Sequence, residues 1–234
     1  YKMLLYLEQK YSERFTVFEN SNVDLIKLES SIVTVICQNG SITSEDIVLC
    51  TNGYTNFQIT NSNKEVKKIQ SSVNGLIGYM IAYYDQNPQI WTAALFDDRN
   101  IYKQVPYFYY HRAPSFHSDK MLTVVGGPER VLEKGKLYDQ NEIINPQIFE
   151  IYKEFLKNTL GETRSDFDFV WHGLMGYTKN DVRWIGRDPE YPHLLYNLGC
   201  NGIGLLTSIM GGNKISKIIN QEQLPESMFD PPAF

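Results

Sequence analysis

Cysteine is scarce in this chain. Only Cys37, Cys50 and Cys200 occur in 234 residues. Their number is odd, no CxxC pair exists, and two of the three sit in apolar runs that read as strands. A disulfide framework and a cysteine-built zinc site are therefore excluded. The three read as reduced, buried thiols of an intracellular, cytoplasmic protein. Histidine is equally sparse, and His111, His117, His172 and His193 show no metal-ligand spacing, so no metal is expected. There is no basic block. Lys and Arg number 22 against 27 Asp and Glu, a net charge of −5, which argues against a nucleic-acid partner. No apolar run approaches the roughly 18 residues of a membrane span. No Walker A, no GxSxG, no internal repeat and no low-complexity tract is found. The start lacks the charged leader, apolar core and cleavage site of a signal peptide.

What is present is an ordinary globular composition, 42% hydrophobic, able to bury a core in one large domain or two small ones. Aromatics are abundant, with 16 Tyr and 12 Phe, and suit a strand-rich interior. Residues 1–12 carry apolar side chains at helical spacing. Strands are predicted over 15–19, 23–28, 32–38 and 41–49, with Asn39-Gly40 as a hairpin turn. The continuously apolar Ile47-Val48-Leu49-Cys50 suits a strand buried on both faces. It ends in the small polar turn Thr51-Asn52-Gly53-Tyr54-Thr55. Residues 56–70 are polar and read as a crossover linker. Further strands are predicted over 76–84, 90–95, 105–111 and 121–125, the last stopped by Gly126-Gly127-Pro128. Asn145-Pro146 opens a helix that Gly161 closes. A strand over 194–198 leads through Gly199-Cys200-Asn201-Gly202-Ile203-Gly204 into a final helix ending near Ile219.

That last unit is the strongest local signal of a ligand site. Its glycines let backbone approach a ligand, and the first N–H groups of a helix favour negative charge or a carbonyl dipole. The spacing is GxxGxG, not the dinucleotide GxGxxG, and a tightly packed helix start explains it equally well. The aromatic block Tyr107-Phe108-Tyr109-Tyr110-His111-Arg112 alternates faces as a strand. One face suits a cationic amine through cation–π contact, or simply packs on a helix. His172 reads as a structural residue, and Asp97, Asp98, Asp166 and Asp168 as turn or cap residues.

Several separated pieces carry a family resemblance. FVWHGLMGYT at 169–178 continues into DVRWIGRDP at 181–189 and LYNLGCNGIGL at 195–205. IVLCTNGYT at 47–55 and the pair YYHR at 109–112 with LTVVGGPE at 122–129 precede them in the same order. Together they resemble the FAD-dependent amine and amino-acid oxidoreductases of the D-amino-acid oxidase superfamily. The GLMGYT spelling is closest to the γ-glutamylputrescine oxidase-like branch. The family's opening strand–GxGxxG–helix has no counterpart here, and the chain begins at Tyr1 in mid-pattern. The resemblance therefore implies an N-terminally truncated product covering about the C-terminal two-thirds of the family's length.

The implied fold is α/β, mixed α+β: a partial FAD-binding domain with a mixed or antiparallel-sheet substrate domain inserted. Residues 1–60 and 166–234 would belong to the FAD-binding domain, and 61–165 to the substrate domain. The implied activity is oxidation of a C–N bond of an amine or amino-acid-like small molecule. Hydride passes to flavin, and water hydrolyses the resulting imine. The cofactor is FAD, poorly held where the diphosphate turn is missing. By the resemblance, Asn22 and Val23 lie near the adenine, and Thr51, Asn52 and Gly53 near the diphosphate or ribose. Gly202, Ile203, Gly204 and Leu205 present N–H groups to the flavin pyrimidine. Met175 and Tyr177 sit over the flavin. Tyr109, His111 and Arg112 are the candidates for substrate contact, and no catalytic base is assigned.

Three positions depart from the family. Met175 stands where amino-acid oxidases carry the arginine that grips a carboxylate, and a thioether cannot replace a guanidinium. Ile203 replaces the His of the family's GHG, and Trp184 replaces a Pro. These departures keep open a second reading, a non-catalytic or degenerate binding protein that retains the oxidase fold.

Overall fold

The computed structural model describes residues 2–85, 92–96, 107–116 and 118–233. His117, Asp97-Asp98 and the starts of the strands expected at 90 and 105 lie outside the described residues. The elements run α1 Lys2–Lys10, β1 Val23–Leu28, β2 Val33–Cys37, β3 Gly40–Ser44, β4 Ile47–Leu49, β5 Gln58–Asn61, β6 Lys64–Glu65 and α2 Lys68–Ser72. They continue with β7 Val73–Asp85, β8 Thr92–Phe96, β9 Phe108–Pro114, β10 Met121–Val131, α3 Pro146–Phe155 with a π-helical turn Leu156–Leu160, β11 Phe169–Thr178, β12 Trp184–Arg187, β13 Leu194–Leu198 and α4 Gly204–Ile219.

Three sheets result. The first is ordered β3-β2-β1-β5-β6, the second β11-β7-β10-β9-β8 and the third β12-β13-β4. The expected strand over 41–49 is split: β3 closes the first sheet through the Asn39-Gly40 hairpin, and β4 crosses to pair parallel with β13. β4 has the two-sided burial its apolar run suggested. Ile47 packs on the core of the first sheet, and Val48 on the cluster of Ile185, Leu195 and Ile215 beneath α4.

Four further expectations are corrected. Residues 15–18 form no strand, pairing with none of the described residues, and Phe15, Val17 and Phe18 are exposed. Residues 56–70 are not a plain linker, because β5 and β6 fold there as a hairpin and Ile59 is fully buried. Gly126-Gly127-Pro128 does not stop β10, which passes through it with a bulge. The cysteines are free but not buried: Cys50 is exposed, and Cys37 and Cys200 are intermediate. β11 also joins the middle sheet, pairing with β7 over ten residue pairs from Phe169 to Thr178.

The middle sheet obeys the period of two. One face carries Ile77, Tyr79, Ile81, Tyr83, Phe108, Tyr110, Val125 and Leu174, which pack on α3. Asn145 caps α3 by accepting from the Gln147 N–H at 3.0 Å, and Gly161 ends the helical run at φ +70°. Phe155 stacks on Phe108 with ring centres 4.0 Å apart, and the Tyr152 hydroxyl donates to the Tyr79 carbonyl at 2.6 Å. Phe155→Ala is expected to cost about 3–5 kcal/mol through the cavity it leaves. Tyr152→Phe, which removes only the hydroxyl, is expected to cost about 1 kcal/mol. Urea midpoints of the two variants check this; equal losses would mean that the helix is not held by ring packing.

Candidate active site

The other face of the middle sheet is built differently. Cross-strand register places Gly78, Met80, Gly126, Glu129, Tyr109, Trp171, Gly173 and Met175 on it. Glycine here makes room. A Cβ on Gly126 would fall 2.1 Å from the Tyr109 ring, so that ring lies flat across the glycine, and its hydroxyl donates to the Met80 sulfur. A Cβ on Gly78 would meet the Met175 methyl at 2.7 Å, whereas nothing lies within 4 Å of one on Gly173. The face is an open shelf floored by two thioethers and edged by phenols.

β11 is the outer strand of this sheet, and two asparagine side chains cover its free edge. Asn52 Oδ1 accepts from the Gly176 N–H at 2.8 Å and the Cys200 N–H at 3.2 Å, while its Nδ2 donates to the Leu174 carbonyl at 3.3 Å. Asn201 Oδ1 accepts from the Thr178 N–H at 2.9 Å, and the Asn201 N–H donates to the Gly176 carbonyl at 3.1 Å. Both residues have left-handed backbone, φ +53° and +46°, which asparagine tolerates. Arg183 fixes the same turn from beneath, donating to the Asn197 and Gly199 carbonyls at 3.0 Å each.

These bonds set the turn 199–202 against the shelf. Gly202 has φ +80°, and a Cβ there would lie 3.0 Å from the Tyr177 hydroxyl and 3.5 Å from that of Tyr107. The two phenols bond to each other, and Tyr107 also bonds Glu129. Burial pushes Tyr107, Tyr177 and the Glu129 carboxyl above their ordinary ranges, and burial takes Tyr109 up to about 12. Asn22, Val23 and Thr51 line a groove of about 800 Å³ with residues 137–141. Thr51 Oγ1 is buried without a hydrogen-bond partner among the described residues. Such a group costs about 1–3 kcal/mol unless a ligand satisfies it.

The family model described as DAO, FAD dependent oxidoreductase, matches residues 2–218. The chain belongs to this family. Among solved structures it resembles NikD, an unusual amino acid oxidase essential for nikkomycin biosynthesis, with TM-score 0.75 and 13% identity over 98% of this chain and 58% of that one. It also resembles glycine oxidase from Geobacillus kaustophilus, with TM-score 0.68 and 13% identity over 92% and 52%. L-proline dehydrogenase from P. horikoshii matches with TM-score 0.65 and 15% identity over 98% and 57%. At such identities the likeness is one of fold, and the chain spans somewhat over half the length of these structures. No curated protein matches the sequence significantly.

Within this DAO-family fold the sequence-derived candidates fall into three groups. Asn22, Val23 and Thr51 share the groove. Gly202, Ile203, Gly204 and Leu205 form the start of α4, with Ile203 and Leu205 about three-quarters exposed, at 74% and 75%. Tyr109, Met175 and Tyr177 face the shelf, and His111 lies two residues along β9 on the same side. Asn52 and Gly53 connect the groups structurally: the Asn52 amide is spent on backbone, and a Cβ on Gly53 would strike the Met175 carbonyl at 2.7 Å. Arg112 is not brought to the shelf. It lies on the α3 side, ion-paired with Asp85 at 2.6 Å and Glu162 at 3.2 Å. Trp184 is a core residue, 2% exposed, edge-on to Tyr196.

Glu129, Met80 and the hydroxyl of Tyr107 were not singled out from sequence. Strict alternation from Gly126 assigns residue 129 to the core face, and only the bulge at Gly127-Pro128 turns it to the shelf. Among the described residues no group of side chains has metal-ligand geometry, and no helix is long and apolar enough to cross a membrane.

Gly202→Val is expected to abolish flavin retention while leaving far-UV circular dichroism unchanged, because the side chain strains φ and displaces Tyr177. Flavin absorbance after gel filtration is the measurement. Wild-type retention in this variant would place the cofactor elsewhere.

Proposed function

We propose that this chain is the substrate-binding and flavin-facing part of an FAD-dependent oxidoreductase that oxidises a C–N bond of an amine. The observation that carries the reading is the apposition of the 199–202 turn and α4 start to a shelf of Tyr109, Tyr177, Met80 and Met175. The residues present fit the cofactor. Thr51 Oγ1 needs a partner, and Gly202 is held bare of side chain against two phenols. Asn22 and Val23 would hold the adenine end, Thr51 the diphosphate or ribose, and the N–H groups of 202–205 the pyrimidine edge of the ring. Bound flavin supplies a two-electron acceptor for the substrate's C–H.

The chain's own residues do the rest. The α4 start favours negative charge at its N–H groups. Met80 and Met175 give the shelf an apolar floor, and its partial burial disfavours an ammonium once the amine is committed to react. The aromatic faces hold the cationic form on arrival. The thioether of Met175 offers no bidentate grip on an α-carboxylate, which favours amines over α-amino acids and supports the γ-glutamylputrescine oxidase-like branch as the finer assignment. Of the departures that motivate a non-catalytic reading, Trp184 carries no weight, since it is buried away from the shelf.

The test is anaerobic titration of the flavin-loaded protein with primary alkylamines and with α-amino acids. Bleaching of the flavin band by amines, at least tenfold more efficient than by α-amino acids, is expected. Stoichiometric flavin that neither class reduces would favour the degenerate binding protein.

A further inference from the structure

Glu129 is the one carboxylate that the cross-strand register places on the shelf among the described residues. Among the described residues no lysine or arginine is ion-paired with it. Its neighbour on the same strand, Arg130, points to the other face and is held by Glu142 at 2.7 Å and by the Tyr79 hydroxyl at 3.2 Å. The carboxylate instead ends a chain of phenols. Tyr177 donates to the Tyr107 oxygen, and Tyr107 donates to Glu129, so each hydroxyl hydrogen points inward, toward the carboxylate. The Tyr177 oxygen, at the Gly202 turn, therefore turns its lone pairs outward. A chain of this kind polarises along its length, and the negative charge at its root strengthens the acceptor at its tip.

Resting on the amine-oxidoreductase reading, we propose that Glu129 sets the charge specificity of the site. Through Tyr107 and Tyr177 it makes the mouth beside Gly202 an acceptor that admits an ammonium group and turns away a carboxylate. The substrate class is then a cationic amine with no carboxylate next to the reacting nitrogen. The geometry is complementary to the loss of a guanidinium at Met175. One position lacks the group that would hold an anion, and another, whose partner on β7 is two residues away (Gly78 against Leu76), carries one that repels it. Glu129 acts through the phenols and is a positioning residue. At the separation of a two-phenol chain in a half-buried site, one unit charge is enough to shift a binding ratio between opposite ligand charges by about tenfold or more.

Two ligands of one shape and opposite charge test this. tert-Butylamine has no C–H next to nitrogen, so it binds without being oxidised, and pivalate is its carboxylate counterpart. Calorimetric titration of the isolated protein near neutral pH is expected to show the amine bound at least about tenfold tighter than pivalate. Glu129→Gln is expected to bring the two within about threefold of each other. Tyr107→Phe, which keeps the carboxylate but cuts the chain, is expected to reduce the preference at least about threefold. A merely structural role would weaken both ligands together and leave their ratio unchanged. An unchanged ratio in both variants, or a wild-type protein that prefers pivalate or binds no amine, would overturn the proposal. Reduction of loaded flavin by amines tests the oxidoreductase reading separately, whereas an unchanged ratio counts against the role of Glu129.

Discussion

The arrangement depends on how the free edge of one strand is satisfied. β11 lies at the border of the middle sheet, and its outward N–H and C=O groups would otherwise invite another strand or stay unpaired. Two carboxamides answer that demand. Asn52 comes from the turn after β4 and Asn201 from the turn before α4, so the same bonds that close the edge also bring the third sheet's two turns onto the shelf. Each such bond is worth only about 0.5–1.5 kcal/mol net, but an unsatisfied edge group costs more than that to bury. Close backbone approach enforces the fit: a Cβ on Gly176 would lie 2.5 Å from the Asn52 carbonyl.

From this follows a division of labour within one sheet. Alternation sends aromatic and branched side chains to α3 on one side, where they make a close-packed core. It sends glycine, methionine and tyrosine to the other. Glycines remove bulk, thioethers give an adaptable apolar floor, and phenols combine ring faces with hydroxyls that reach a carboxylate. The bulge at Gly127-Pro128 adds the charged element to that face. Rigid packing behind the shelf holds these groups still in front of it.

Much of this architecture was legible in the chain. The Asn39-Gly40 hairpin, the capped helix from Asn145 to Gly161, β13 and the Gly-rich turn into α4 all follow from local turn chemistry and periodicity, which the sequence states directly. What was not legible depended on distant partners. The run over 15–19 has strand composition but pairs with none of the described residues. Residues 41–49 look like one strand because the switch between sheets is set by β13, about 150 residues away. Within the site, Tyr109, Met175, Tyr177 and Gly202 were marked by motif resemblance. Arg112, a candidate for substrate contact, lies on the α3 side, and the aromatic block gives two faces with no sign of which one carries the core. Asn52 was marked as a cofactor contact, yet its amide serves the protein's own backbone. Glu129 was hidden by the bulge, a one-residue irregularity that inverts the parity of every later position in the strand.

The central claim, that Asn52 couples the strand edge to the site, is tested most directly by hydrogen exchange at individual amides in Asn52→Ala. The account predicts that the Gly176 and Cys200 N–H groups lose protection together while those of Ile81 and Val125, deep in the sheet, keep theirs. Full protection of Gly176 and Cys200 in the variant would contradict it.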